Sequence, residues 1–151
     1  MSLRFRYQLA PTSGFVIPLG GRSVRPRPVV PVIVVGHTGS RIREVILDTA
    51  SDDTVFPISL AVQIGVGLTG APMGKGSGVG LIAVPLRDAE VTLRIATNQE
   101  QREWQAWVSF TSGSLRRPIL GFGGFLQFFT ATFYGDREEV ELSVNSLYPG
   151  T

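Results

Sequence analysis

The chain has no cysteine, a single histidine (His37) and a single lysine (Lys75). It also lacks any run of about 18 apolar residues, the length a spanning helix needs. Each absence removes a class of function. Without cysteine there is no disulfide framework, no thiolate metal site and no thiol nucleophile. With one histidine, a Ser-His-Asp machine would have to use His37, which lies in the turn Gly36–Gly39 with no nucleophile signature around it. A zinc site would need His37 and carboxylates alone. The segment Met1–Pro11 carries Arg4, Arg6 and Gln8, so it is not a signal peptide's apolar stretch. The expectation is a soluble, cytoplasmic protein with no membrane contact, no metal and no cofactor.

Two phosphate-binding patterns also fail. Gly65-Val66-Gly67-Leu68-Thr69-Gly70 matches G-x-G-x-x-G in letters, but Ala71-Pro72 and more glycine follow where a helix is required. Gly74-Lys75 has Thr69 where the first Walker glycine belongs and Gly76 where Ser or Thr should bind magnesium.

What is present is a basic but weakly charged chain. Lys+Arg number 14 against 12 Asp+Glu, a net charge of +2, and the pI near 9.5 reflects arginine rather than a strong field. The one basic cluster, Arg22, Arg25 and Arg27, is interleaved with Pro26 and Pro28 and reads as a solvated arm. A nucleic-acid face shows a longer stripe with aromatics, so nucleic acid is not the expected partner. At 151 residues and 43% hydrophobic content the chain builds one core and is not disordered. It is too short for two catalytic lobes.

Strand signals dominate. Phe5, Tyr7 and Leu9 alternate with Arg4, Arg6 and Gln8, and Trp104, Ala106, Val108 and Phe110 form a second period-two set. Val29–Val35 is β-branched, with Pro31 marking an edge or a strand start. It forms a hairpin with Glu44–Leu47. Hairpins are also expected around Arg87-Asp88-Ala89 and Gly135-Asp136-Arg137. Pro57–Ile64 predicts one or two helical turns stopped by Gly65. Gly65–Gly80 holds seven glycines and reads as a linker or a mobile functional loop, not a core element. The class is all-β, closed and antiparallel, barrel-like, with one or two short helices.

The most informative stretch is Val45-Ile46-Leu47-Asp48-Thr49-Ala50-Ser51-Asp52-Asp53-Thr54-Val55. A hydrophobic strand delivers an Asp, then Thr, two small residues and a polar turn. Taken alone, it fits equally an Asp that ends a strand and bonds its own turn, or a catalytic carboxylate. Two later features follow in order. One is the glycine-rich Gly74–Gly80; the other is Pro118-Ile119-Leu120-Gly121, an apolar pair running into glycine.

This order resembles the retropepsins, the retroviral-type single-domain aspartic proteases, over roughly Val29–Phe133. The resemblance implies the acid-protease fold, with a closing short helix and hairpin after Leu126. It implies a homodimer in which two copies of Asp48 share a proton and activate water on a peptide or protein substrate. Thr49, Ala50 and Ser51 would support the site, with Thr49 locking the two loops across the axis. Ala50, Asp52, Asp53, Gly76, Ser77 and Gly78 would meet substrate, the glycine-rich segment acting as a flap. Ile119, Leu120 and Gly121 supply the late apolar-Gly motif. Two departures stand out: Ala50 replaces the motif's glycine, and Phe122-Gly123 replaces a charged or polar pair, typically Arg then Asn or Asp. Arg116 or Arg117 is the candidate substitute partner for Asp52.

Three readings result: an aspartic endopeptidase active as a dimer, a dimeric module of the same fold that binds peptide without turnover, and a basic nucleic-acid-binding β domain, which ranks last. The expected organisation is an N-terminal strand or arm over 1–27, the protease-like domain over 28–134 and a C-terminal hairpin strand or tail over 135–151.

Overall fold

The computed structural model describes residues 1–77 and 83–151. Twelve strands appear among them: β1 (Leu3–Arg6), β2 (Gln8–Val16), β3 (Arg22–Arg27), β4 (Val29–Val35), β5 (Ser40–Leu47), β6 (Val55–Pro57), β7 (Met73–Ser77), β8 (Ala83–Ala96), β9 (Gln101–Thr111), β10 (Ile119–Leu120), β11 (Phe129–Tyr134) and β12 (Glu139–Val144). The one α-helix among the described residues, α1 (Ile58–Ile64), follows Pro57 and buries Leu60, Ala61 and Ile64. Gly65, with φ 74°, stops it by donating its N–H to the Ala61 and Val62 carbonyls. No helix among the described residues is long and apolar enough to cross a membrane.

Seven strands pair in the order β4-β5-β10-β6-β9-β8-β7, and β4 pairs with β8 again through Ile33–Val35, so β4, β5, β10, β6, β9 and β8 close into a ring. The ring is antiparallel except at β5–β10 and β6–β9, which run parallel. Pro31 sits where β4 has β5 as its only partner, since pairing to β8 starts at Ile33. A proline can occupy that stretch because its missing N–H interrupts no second ladder. The ring's interior takes the inward residues of each strand: Val30, Val32, Val34, Val45, Leu93, Trp104 and Phe110 are all buried. The period-two pattern predicted for β9 and the β-branched run of β4 therefore supply core residues of the ring.

Tertiary pairing changes several expectations. The residues Arg87-Asp88-Ala89 form no hairpin turn; they lie inside the 14-residue strand β8. They are paired to Phe110, Ser109 and Val108 of β9, and the Asp88 N–H donates to the Pro72 carbonyl at 2.9 Å. Bonding on both edges holds a polar triplet extended despite its turn composition. The glycine-rich stretch is not uniformly loop either, because Met73–Ser77 pairs with β8 as β7, and Val66 is buried. The Phe5–Leu9 alternation breaks at Tyr7, whose N–H turns to the Glu138 carbonyl at 2.7 Å, so β1 pairs with β12 while β2 pairs with β3. Arg22–Arg27 is thus a paired strand, not a loose arm. The helix expected after Leu126 is only a 3-10 turn, Leu126–Phe128, leading into the β11–β12 hairpin.

Candidate active site

Asp48 follows the last residue of β5, and the ring's connectivity puts it beside a crossing. The chain leaves β5, loops through residues 48–54 and returns as β6, while β10 inserts between the two strands. β10 runs parallel to β5 at Ile119↔Ile46 and Leu120↔Leu47, and antiparallel to β6 at Ile119↔Val55. Ile119 and Leu120 thereby clamp both roots of the Asp loop.

The loop is tied down atom by atom. The Asp48 N–H donates to the Leu120 carbonyl at 3.0 Å, and the Asp48 carbonyl accepts from Ser51 N–H at 3.2 Å. From the other segment, Phe122 N–H donates to Ser51 O at 2.9 Å and Gly123 N–H to Asp52 O at 2.8 Å. Ser51 Oγ donates to the Asp53 carbonyl at 2.7 Å. Thr54, 1% exposed, donates its hydroxyl to Gly123 O at 2.7 Å and accepts from Gly121 N–H at 3.3 Å. A buried hydroxyl used in both directions welds the two segments into one unit. Gly121 is required by this closeness. A Cβ there would lie 2.1 Å from the Asp53 carbonyl oxygen and 2.7 Å from that of Ser51. Behind it, Trp104 Nε1 donates to Gly124 O at 2.9 Å and the indole packs against Phe125 and Phe129, fixing the segment to the core.

The Asp48 carboxylate is partly exposed, and its Oδ1 accepts from Ala50 N–H at 2.9 Å. This is the turn bond expected of a strand-ending Asp. It also aims the carboxylate, so the two readings of the residue are compatible in geometry. Thr49 and Ala50 are exposed beside it. Among the described residues the only non-glycine with positive φ is Glu138, so the Ala50 methyl sits in no left-handed strain.

A cavity of about 380 Å³ opens next to the loop. Ala50, Ser51, Asp52, Asp53, Val55 and Ile119 form one wall, and Lys75 and Gly76 of β7 with Val84 and Leu86 of β8 face them. Asp48 is not among its lining residues. Ser77 ends β7, its backbone registered with Ala83, and Gly78 lies outside the described residues. Asp53 has its pKa raised, first by burial and then by the carboxylates of Asp88 and Asp52. Asp88 in turn accepts from Ser109 Oγ at 2.7 Å.

Among the described residues neither Arg116 nor Arg117 forms an ion pair with Asp52, so the substitute partner does not materialise. Phe122, which departs from the charged or polar residue of the resemblance, is 61% exposed and contributes its backbone N–H. Backbone and Thr54 bonds support the loop instead. Thr54 and Asp88 escaped the sequence reading. The position of Thr54 between an acidic pair and a buried strand was its only signal, and Asp88 was hidden by its turn-like neighbours. No cluster of three His, Asp or Glu side chains able to hold a metal occurs among the described residues.

A ring of strands with an inserted strand clamping an Asp-Thr loop is the retropepsin fold, and this chain has it. A crystal structure of a retropepsin-like aspartic protease from Rickettsia conorii superposes with a TM-score of 0.57 at 13% identity, covering 94% of this chain and 90% of that one. EIAV protease complexed with the inhibitor HBY-793 gives a TM-score of 0.39 at 17% identity, over 63% of this chain and 81% of that one. No protein-family model matches the sequence. No curated protein matches it either.

Proposed function

We propose that the protein is an aspartic endopeptidase, active as a homodimer. The observation that carries the reading is the aimed carboxylate of Asp48 on a loop cross-tied to β10, beside a cavity walled by β7. Peptide hydrolysis without a metal or a covalent nucleophile needs one carboxylate to take a proton from water and an acid to protonate the carbonyl oxygen. One chain supplies one such Asp. A two-fold axis beside Asp48 brings its symmetry mate, and the pair then shares a proton because both cannot ionise at close range. The titration belongs to the pair. On this reading Thr49, exposed beside Asp48, meets its mate across that axis. Ala50, Asp52 and Asp53 line the path of an extended peptide, and Gly76, Ser77 and Gly78 belong to the segment that closes over it and excludes water.

Asp48→Asn is the direct test. Peptide cleavage at mildly acidic pH should fall by about 10²–10⁴-fold, the usual contribution of a positioned general base, with the dimer still present by sedimentation. Cleavage retained at the wild-type rate would end the proposal. Phe122, in place of the family's charged or polar residue, and an Asp52 without an ion pair among the described residues favour a second reading, a dimer that binds peptide without turnover. Pepstatin binding with no cleavage of a diverse peptide pool would select it.

A further inference from the structure

Arg22, Arg25 and Arg27 of β3 line one cavity of about 510 Å³, together with Tyr7, Pro26 and Glu138 of the β11–β12 turn. The cavity's charges do not cancel. Arg22 is committed to Glu138, with both terminal nitrogens on that carboxylate. Glu138 is itself fixed: its backbone takes the left-handed φ of 51°, and its carbonyl accepts the Tyr7 N–H. Arg25 and Arg27 form no ion pair with any described residue. The Arg27 Nε is buried and has no hydrogen-bond partner among the described residues. Because Nε is closed to solvent, an oxyanion in the cavity would be held by the Arg27 terminal nitrogens, part of a planar fork that suits it. Burial and the Glu138 carboxylate keep the Tyr7 phenol protonated, so it adds a neutral hydroxyl to the lining.

We propose that the Arg25–Arg27 face of this cavity binds a compact, doubly charged oxyanion: a phosphate group, either free or as a small monoester. Two uncompensated guanidinium groups on one concave face match two negative charges, and a monovalent carboxylate leaves one of them unpaired. The two free arginines are confined to one cavity, whereas a nucleic-acid backbone requires a stripe that follows successive phosphates. The site does not depend on the protease reading, and Asp48→Asn should leave it intact.

The test is calorimetric titration of the whole chain at constant ionic strength with inorganic phosphate, phosphoserine and acetate in separate arms. Saturable binding of phosphate or phosphoserine, with acetate much weaker, is expected, and the stronger of the first two identifies the source. Arg25→Gln and Arg27→Gln should each weaken it by about tenfold or more. Arg41→Gln, which removes one exposed charge on β5, should retain wild-type affinity. Arg27→Lys, which keeps the charge, covers the case in which the glutamine variant fails to fold, and should bind more weakly than wild type because the fork is lost. Absence of saturable binding in both phosphate arms, acetate binding as tightly as phosphate, or an equal loss in Arg41→Gln would each overturn the proposal.

Discussion

The loop 48–54 and strand β7 face each other across one cavity, yet they are held in opposite ways. The loop is bound through its backbone to residues 120–123, locked by the buried Thr54 hydroxyl and closed over a glycine with no room for a methyl group. β7 hangs from β8 by one edge, with Lys75 exposed and nothing within 4 Å of a Cβ built on Gly74. Under the function proposed above, the contrast would match two needs of a hydrolytic site. A carboxylate must be held in place before substrate arrives, while a cover must yield to admit it.

The same substitution in the two regions breaks or sharpens that comparison. Gly121→Ala forces a methyl against two carbonyl oxygens and should destabilise the fold by about 3 kcal/mol, read from the urea midpoint. A loss below about 1 kcal/mol would mean the two segments can separate. Thr54→Val removes the two-way bond and strands Gly123 O and Gly121 N–H, for a loss of about 2 kcal/mol. Thr54→Ser should recover most of it.

Asp53 tests the electrostatics of the same wall. Its raised pKa means that the folded state holds the proton more tightly than the unfolded chain. That contribution to stability is therefore present below the ordinary carboxylate value of about 3.9 and is lost as pH rises through the raised folded value. Asp53→Asn should stabilise the protein at neutral pH, by under about 1 kcal/mol after solvent screening. The gain should shrink on acidification through that window, and an equal gain at all pH values would contradict the assignment. The smallest effect belongs to β7: Gly74→Ala should change stability by less than about 0.5 kcal/mol, as expected where a methyl group meets no neighbour.

How much was legible followed the range of the interaction. The β-branched run Val29–Val35 foretold a strand, and the alternation in Trp104–Phe110 a core face, because composition and strand period are local properties. The helix from Pro57 and its stop at Gly65 carried their own punctuation. Asp48 and Gly121 were visible as motif residues, but not the reason for the glycine, which is a contact between segments some 70 residues apart in sequence. Asp88 was misread because a polar triplet looks like a turn until strands occupy both its edges.

By itself, then, the sequence determined that this is a strand-rich domain with no thiol, a single histidine and no apolar run long enough for a spanning helix, with one Asp-Thr loop of a recognisable kind. Those are matters of residue type and short-range period. The tertiary structure decided that β10 lies between β5 and β6, that β8 runs straight through a turn-like triplet, and that the three arginines of β3 share one cavity. Strand pairing is non-local: a residue's own propensity does not name its partner, and the ladder that forms outweighs the local preference it overrides.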